Sequence, residues 1–369
     1  MKKNTHHPYI LPLIAAMIFF LVILSALSSC ELQSLANPQG TTGDAASVFQ
    51  PIEVTTAGSG EPFPTEATTT QQVTTVPPTT TTSTPILYFN PLTGLPCEGT
   101  VATRRPLAFV IKEGAGEQIG SADLVIEAPT EAIGTRLALV GTDHTAIFPQ
   151  ITLASARPYL AALANDLFAI SVYRGTSDQR KESTSFLYDT LDARCTTIES
   201  TVGSLMEAIS AAGYQQSIAE SIALPYTVAG IGETVKPQKI LSTYVSVPFS
   251  DTANTTFTYD SVTKSYTMRT CAGLLQDGTL PTFANILVLF HDATLRVTKD
   301  GNELTLDTDI GGTGYYVSQG GVIPITWRRD SETSRLMITD ENNGPLKINR
   351  GKTYIGMTTF AYQNKLILN

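Results

Sequence analysis

Side chains able to do acid–base or anion chemistry gather in one stretch of the sequence. Glu127 and Glu131 stand on either side of Pro129, with Thr135 and Arg136 just beyond. Ser155-Ala156-Arg157 directly precedes Pro158, and Arg174-Gly175-Thr176-Ser177-Asp178 follows the next apolar run. Two carboxylates divide general-acid and general-base roles when they are held at a fixed separation across a sugar ring. An Arg at a helix N-terminus, where free N–H groups and partial positive charge face outward, suits a carboxylate or phosphate. The same residues have a structural alternative, in which Arg157 pairs with Glu127 or Glu131 and locks the fold. The candidate ligand-binding set is Glu127, Glu131, Arg136, Ser155, Arg157, Arg174, Ser177 and Asp178, and no residue is assigned as catalytic.

The remaining motifs carry less chemistry. His144 and His291 are read as polar turn residues, because no third ligand stands at metal-binding spacing. The sequence gives no basis for a metal or an organic cofactor. It has no Gly-x-Ser-x-Gly elbow. Gly311-Gly312-Thr313-Gly314 lacks the Lys-Ser/Thr ending of a phosphate loop and is read as a tight turn leading into Tyr315. Trp327 is the only tryptophan, and a lone Trp on a strand is more often a core or interface residue than a sugar platform.

Elements that would position these groups follow from the apolar pattern. Pro106 to Lys112, Leu124 to Glu127, Arg136 to Val140, Ile151 to Ala154 and Phe168 to Tyr173 read as buried strands. Pro158 opens a helix with Leu160, Leu163 and Leu167 on one face. The sequence of strand, helix and strand from Ile151 to Tyr173 is expected to form a βαβ unit with parallel strands. Val202 to Ala212 is a second helix, stopped by Gly213. Ligands in α/β sheets sit beyond the carboxyl ends of strands, which is where Ser155, Arg157 and Arg174 fall. After Lys239 the pattern becomes mainly antiparallel β. Hairpin signals stand at Asp300-Gly301 and Gly320-Gly321, and a turn at Asn343-Gly344. The expected fold class is α+β: a mixed α/β lobe over residues 86–235, then a β-rich, mainly antiparallel lobe over residues 236–369.

The first residues of the chain speak to location. Lys2 and Lys3 precede an almost wholly apolar run from Ile10 to Leu24, and Leu27-Ser28-Ser29-Cys30 follows. These are the parts of a secretory signal over residues 1–29, ending in what resembles a lipobox. Cys30 is then the lipidated first residue of the exported protein, and two acyl chains suffice for stable anchoring. The alternative is an uncleaved transmembrane helix. Residues 30–85 are dominated by Thr, Pro, Gly, Ala and Ser, a composition expected to give a disordered stalk. Cys97, Cys195 and Cys271 remain, so at most one intramolecular disulfide can form. The formal net charge of -9 argues against nucleic acid as a partner.

Several of these residues also carry a family resemblance. Asn90-Pro91-Leu92-Thr93-Gly94-Leu95, Arg105-Pro106, Ile119-Gly120-Ser121-Ala122-Asp123, Glu127, Glu131, Gly134-Thr135-Arg136 and Ser155-Ala156-Arg157-Pro158-Tyr159 resemble the N-terminal domain of YerB-like lipoproteins. Gly314-Tyr315-Tyr316, Ile323 to Trp327 and Asn349-Arg350-Gly351-Lys352-Thr353 resemble the C-terminal domain of the same family. The resemblance implies a lipoprotein of Gram-positive bacteria, anchored on the extracytoplasmic face of the membrane, and no reaction. Two departures stand out. The region around Cys195-Thr196-Thr197-Ile198-Glu199 lacks the His and Pro that relatives often carry, and Arg174-Gly175-Thr176-Ser177 replaces their usual Gly-Gly-Ser. The function expected is noncatalytic binding or scaffolding at the cell envelope, with a wall polymer or an envelope protein as partner. The alternatives are an envelope hydrolase acting on glycan or peptide, and capture of a small anionic solute.

Overall fold

The computed structural model describes residues 87–112, 116–131, 134–147, 152–155, 157–174, 190–192, 201–219, 222–237, 240–269, 280–298, 301–330 and 334–369. Cys30, the signal, the Thr/Pro-rich segment, Ser177, Asp178, Cys195 and Cys271 lie outside them. Residues 81–369 cluster as one compact unit. Among the described residues no helix is long and apolar enough to cross a membrane.

An eleven-stranded mixed sheet organises this unit. Leu107–Lys112 and Leu124–Pro129 each pair antiparallel with Thr135–Gly141. The other edge of Leu124–Pro129 pairs in parallel with Thr353–Thr359, which pairs in parallel with Asn285–His291 on its own far side. Asn285–His291 continues antiparallel into Gly311–Ser318, and that strand into Gly321–Arg328. One sheet therefore runs through both expected lobes, and a strand from the end of the chain joins them. The described part is strand-rich, with mixed and antiparallel sheets, and is more β than the expected α+β class implied.

Each central strand is buried on both faces, which explains the near-continuous apolar runs. Alternation sorts the side chains. Ala108, Val110, Leu124, Ile126 and Ala128 join one core with Leu160 and Leu163 of helix Pro158–Asp166. Leu107, Phe109, Ile111 and Val125 join the other, with Leu205 and Ile209 of helix Val202–Ala211 and with Val245, Phe257 and Tyr266. These last three belong to a separate five-stranded antiparallel sheet that covers the second face. The Val202–Ala211 helix starts where Thr201 accepts a hydrogen bond from the Ser204 N–H, and ends before Gly213 at φ 80°.

The expected βαβ unit is corrected. Ile170–Tyr173 does lie in a parallel pair, but its partner is Leu107–Lys112. The fourth run makes only an isolated antiparallel bridge, Leu153 to Ile111. Pro158 explains the shortness: it holds Arg157 extended at φ -129° and ψ 132°, as the cap of the helix, so no further strand residues are available. Ile240 to Phe249 also divides, into Ile240–Leu241 on the large sheet and Tyr244–Pro248 in the small one. The hairpins are present but turn one residue earlier than expected: Ser318 faces Gly321 across Gln319 and Gly320, both at positive φ, and Thr298 faces Gly301, so Gly301 and Gly321 are strand residues.

A buried ion pair fastens the C-terminal end of helix Pro158–Asp166. Asp166 and Arg329 have side chains 0% and 3% exposed. Arg329 donates to both Asp166 oxygens, Oδ1 at 2.9 Å, and its Nε donates to the Thr308 carbonyl at 2.8 Å. The Leu336 N–H adds a third bond to Asp166 at 3.0 Å. The guanidinium of Arg335 lies 3.5 Å over the Phe168 ring. Arg329→Ala is expected to destabilise the protein by about 3–5 kcal/mol, because it leaves a buried carboxylate without its partner. Replacing both members with Leu and Met should cost clearly less, as measured by denaturant unfolding of the single and double variants.

Candidate functional site

The residues expected to share one strand-end site fall on two faces of the sheet. Arg157 and Glu131 do meet: Nη2 donates to Oε1 at 2.5 Å, and Nη1 donates to Ser155 Oγ at 3.1 Å. This is the structural alternative raised above, with Glu131 as the partner. Tyr159, next along, is buried and donates from its hydroxyl to the Pro129 carbonyl at 2.6 Å. Arg136 is half-buried beside them and donates to the Thr135 carbonyl at 3.2 Å. Arg174 is exposed at the end of Ile170–Tyr173, where its N–H donates to the Ala154 carbonyl.

Glu127 is elsewhere. It shares the parity of Val125, so its side chain enters the opposite core, and it is fully buried. There Thr135 Oγ1 donates to Oε1 at 2.7 Å, while Thr255 Oγ1 and the Tyr354 hydroxyl donate to Oε2 at 2.8 and 2.7 Å. A carboxylate so held is solvated by the protein and has no access to a substrate. Glu127 and Glu131 therefore do not form an acid–base pair, and the cleft expected to join Glu127 with Ser155 and Arg157 is not formed.

Both described histidines are interior residues, not turn surface. His144 Nε2 donates to the Arg105 carbonyl at 3.0 Å, and His291 Nδ1 donates to the Asp307 carbonyl at 2.8 Å. Burial is the main cause that pushes each imidazole down to about 4. The His291 ring lies against Trp327, centroids 4.4 Å apart and planes tilted by 36°. Trp327 is 2% exposed and donates from Nε1 to the Phe290 carbonyl at 3.2 Å. It is core, as its isolation on a strand suggested. The glycines before Tyr315 are corrected. They lie within strand Gly311–Ser318, and a Cβ on Gly312 or Gly314 would run into the carbonyls of Phe290 or Val288. Close strand approach, not a turn, requires them.

Open space occurs at two other places. One is a polar cleft of about 460 Å³ lined by Cys97, Glu98, Arg104, Asp143 and their neighbours. Burial and the nearby carboxylates of Asp123 and Glu98 push the Cys97 thiol up, so it is a poor nucleophile at neutral pH. The other is an apolar cleft of about 360 Å³ beside Tyr315, Pro324 and Ile325, rimmed by Asp340, Glu341 and Gln363. No sequence pattern marks this second cleft, because its lining comes from four separated segments.

The comparisons bear on this chain at this point. A family model described as a protein of unknown function (DUF3048), N-terminal domain, matches residues 92–200, and its C-terminal counterpart matches residues 245–355. The chain belongs to the YerB-like DUF3048 family. A crystal structure of YerB protein from Bacillus subtilis has the same fold, with a TM-score of 0.60 and 21% identity over 76% of this chain and 99% of that one. No curated protein matches.

The residues that carry the YerB-like resemblance have framework roles here. Asn90 Oδ1 accepts from the N–H groups of Leu92 and Thr93, and its Nδ2 donates to Thr142. Asp123 accepts from the Thr142 N–H and hydroxyl, both at 2.9 Å. Asn349 donates to Ser318 Oγ at 2.9 Å, and the Tyr316 hydroxyl donates to Asn285 Oδ1 at 2.9 Å, in one buried network. Two outcomes are expected. Glu127→Ala should destabilise by about 2–5 kcal/mol, because it strands buried hydroxyls, and Glu127→Gln should cost less in the same unfolding assay. Stability should also fall with acid. The two histidines have folded pKa values of about 4 against 6.5 for the free group. The unfolded chain therefore binds protons first as pH drops, and stability is lost between about pH 6.5 and 4, on the order of 3 kcal/mol per histidine. Comparing the pH slope of the wild type with that of a His144→Gln, His291→Gln variant checks this, and the variant's slope should be flatter.

Proposed function

We propose that this chain is an extracytoplasmic lipoprotein, held on the cell membrane by lipid on Cys30, that acts as a noncatalytic binding or scaffold protein at the cell envelope. One observation carries the noncatalytic part. Of the groups that sequence reading placed in a strand-end cleft, Glu127, Glu131 and Arg157 are each engaged in holding the fold together, and Asp178 lies outside the described residues. The remaining open surfaces suit recognition. The apolar cleft beside Tyr315 has a half-exposed aromatic ring and polar groups at its rim, the composition of a binding pocket.

The location rests on the N-terminal sequence. A basic start, an apolar run and Leu27-Ser28-Ser29-Cys30 are what signal recognition and lipid transfer require. The Thr/Pro-rich residues 30–85 then serve as a spacer between the membrane and the folded unit. A wall polymer or an envelope protein is the partner this placement favours, with no nucleic acid. In cells, Cys30→Ala should move the protein from the membrane fraction to the soluble fraction. In-cell crosslinking followed by pull-down should recover a wall polymer or envelope protein with the wild type and not with Cys30→Ala. Equal recovery from both, or turnover of wall glycan or peptide by the purified protein, would sink the reading.

A further inference from the structure

We propose that the cleft beside Tyr315 is a subsite for a neutral glycan, an inference that rests on the binding-protein reading and gives its ligand class. Tyr315 and Pro324 are cross-strand partners in the hairpin of Gly311–Ser318 and Gly321–Arg328, and form the apolar part of the floor, with the pair Thr313 and Thr326 next to them on the same face. The Tyr315 ring is half-exposed and held in place from behind. Phe290 meets it edge-on, centroids 6.3 Å apart at 88°, and Phe290 stacks in turn on Phe360 at 5.9 Å and 27°. An aromatic face fixed in this way offers stacking without the entropy cost of ordering a loose side chain.

The rim supplies the other half of sugar chemistry. Phe360 opens the 3-10 helix that carries Gln363, whose amide is exposed and makes no hydrogen bond among the described residues. Asp340 Oδ1 accepts from the N–H groups of Asn342 and Gly344, at 2.8 and 3.0 Å, and fixes the carboxylate with Oδ2 available. A pyranose presents a C–H face for stacking and hydroxyls around its edge. Carboxylates accept from hydroxyls, and an amide pairs with an N-acetyl group by giving and accepting one bond each.

Charge narrows the ligand further. Among the described residues the lining brings the Asp340 carboxylate and no Lys or Arg, so phosphate-bearing and carboxylate-bearing polymers are disfavoured. A purely apolar ligand would desolvate Asp340 and Gln363 without giving them partners. At about 360 Å³ the cleft is at the small end of ligand pockets, which suits the end of an oligosaccharide better than a folded partner.

The test uses the full-length protein and a tetramer of β-1,4-linked N-acetylglucosamine, titrated by calorimetry and by amide chemical shifts. Saturable binding is expected. Tyr315→Ala should weaken it by roughly tenfold or more, and Tyr315→Phe should keep it within about threefold, because stacking needs the ring and not the hydroxyl. Gln363→Ala sits on the surface, away from the core, and should weaken binding while leaving the melting temperature unchanged, so a folding defect in Tyr315→Ala does not blunt the test. No binding by the wild type at millimolar tetramer, or affinity equal to the wild type's in both Tyr315→Ala and Gln363→Ala, overturns the subsite. Tighter binding of a Lys-rich peptide at the same cleft also overturns the glycan assignment and leaves the binding-protein reading standing. Cleavage of the tetramer does the opposite: the subsite survives and the noncatalytic reading fails.

Discussion

Placing Glu127 in the interior sets a condition that much of the fold has to meet. A carboxylate removed from water is tolerated only when the protein supplies hydrogen bonds in place of the lost solvent. Here the donors come from three separate parts of the chain: Thr135 on the neighbouring strand, Thr255 on the small covering sheet, and Tyr354 on the strand from the chain's end. The bonds form only when all three are in register. Glu127 thus ties the local hairpin, the packing of one sheet on the other and the long-range parallel pair to a single geometry. Collapse into a near-native sheet with one of them slipped would leave the charge short of donors.

Polar groups do similar work at other joints. Asp166 with Arg329 links a helix end to the segment after the long hairpin, and Asn285, Tyr316 and Asn349 fill the interior between neighbouring strands. All of these pair residues that are far apart in sequence. The apolar cores on either side give most of the burial but little discrimination, since Val, Ile and Leu pack in many registers. The polar networks give the discrimination.

Local features could be read from the sequence, and distant pairings could not. The Pro158 start and the Gly213 stop follow from dihedral limits that act over a few residues, and the hairpin expected at Gly320-Gly321 is present one residue earlier, at Gln319-Gly320. Arg157 with Glu131 was foreseen as one of two outcomes because both residues flank short connections. The partner of Ile170–Tyr173 was misjudged because a parallel crossover can skip several strands, and nothing in the intervening run marks the skip. The separation of Glu127 from Arg157 was partly legible. Period-two alternation places Glu127 with Val125 and away from Ala128, but the covering sheet that makes this face interior is formed more than a hundred residues later. The cleft beside Tyr315 had no sequence signature, because residues near 315, 325, 340 and 363 meet only in three dimensions.

The strand at the middle of the large sheet follows both of its neighbours in the sequence. Until Thr353–Thr359 exists, Leu124–Pro129 and Asn285–His291, both largely apolar, each keep an unpaired edge. Such edges are templates for association with other chains. Synthesis order and sheet order are therefore opposed, and the molecule cannot mature piecemeal from its N-terminus. Removing residues 353–359 would take out the centre of the sheet and leave both neighbouring strands without a partner on that side.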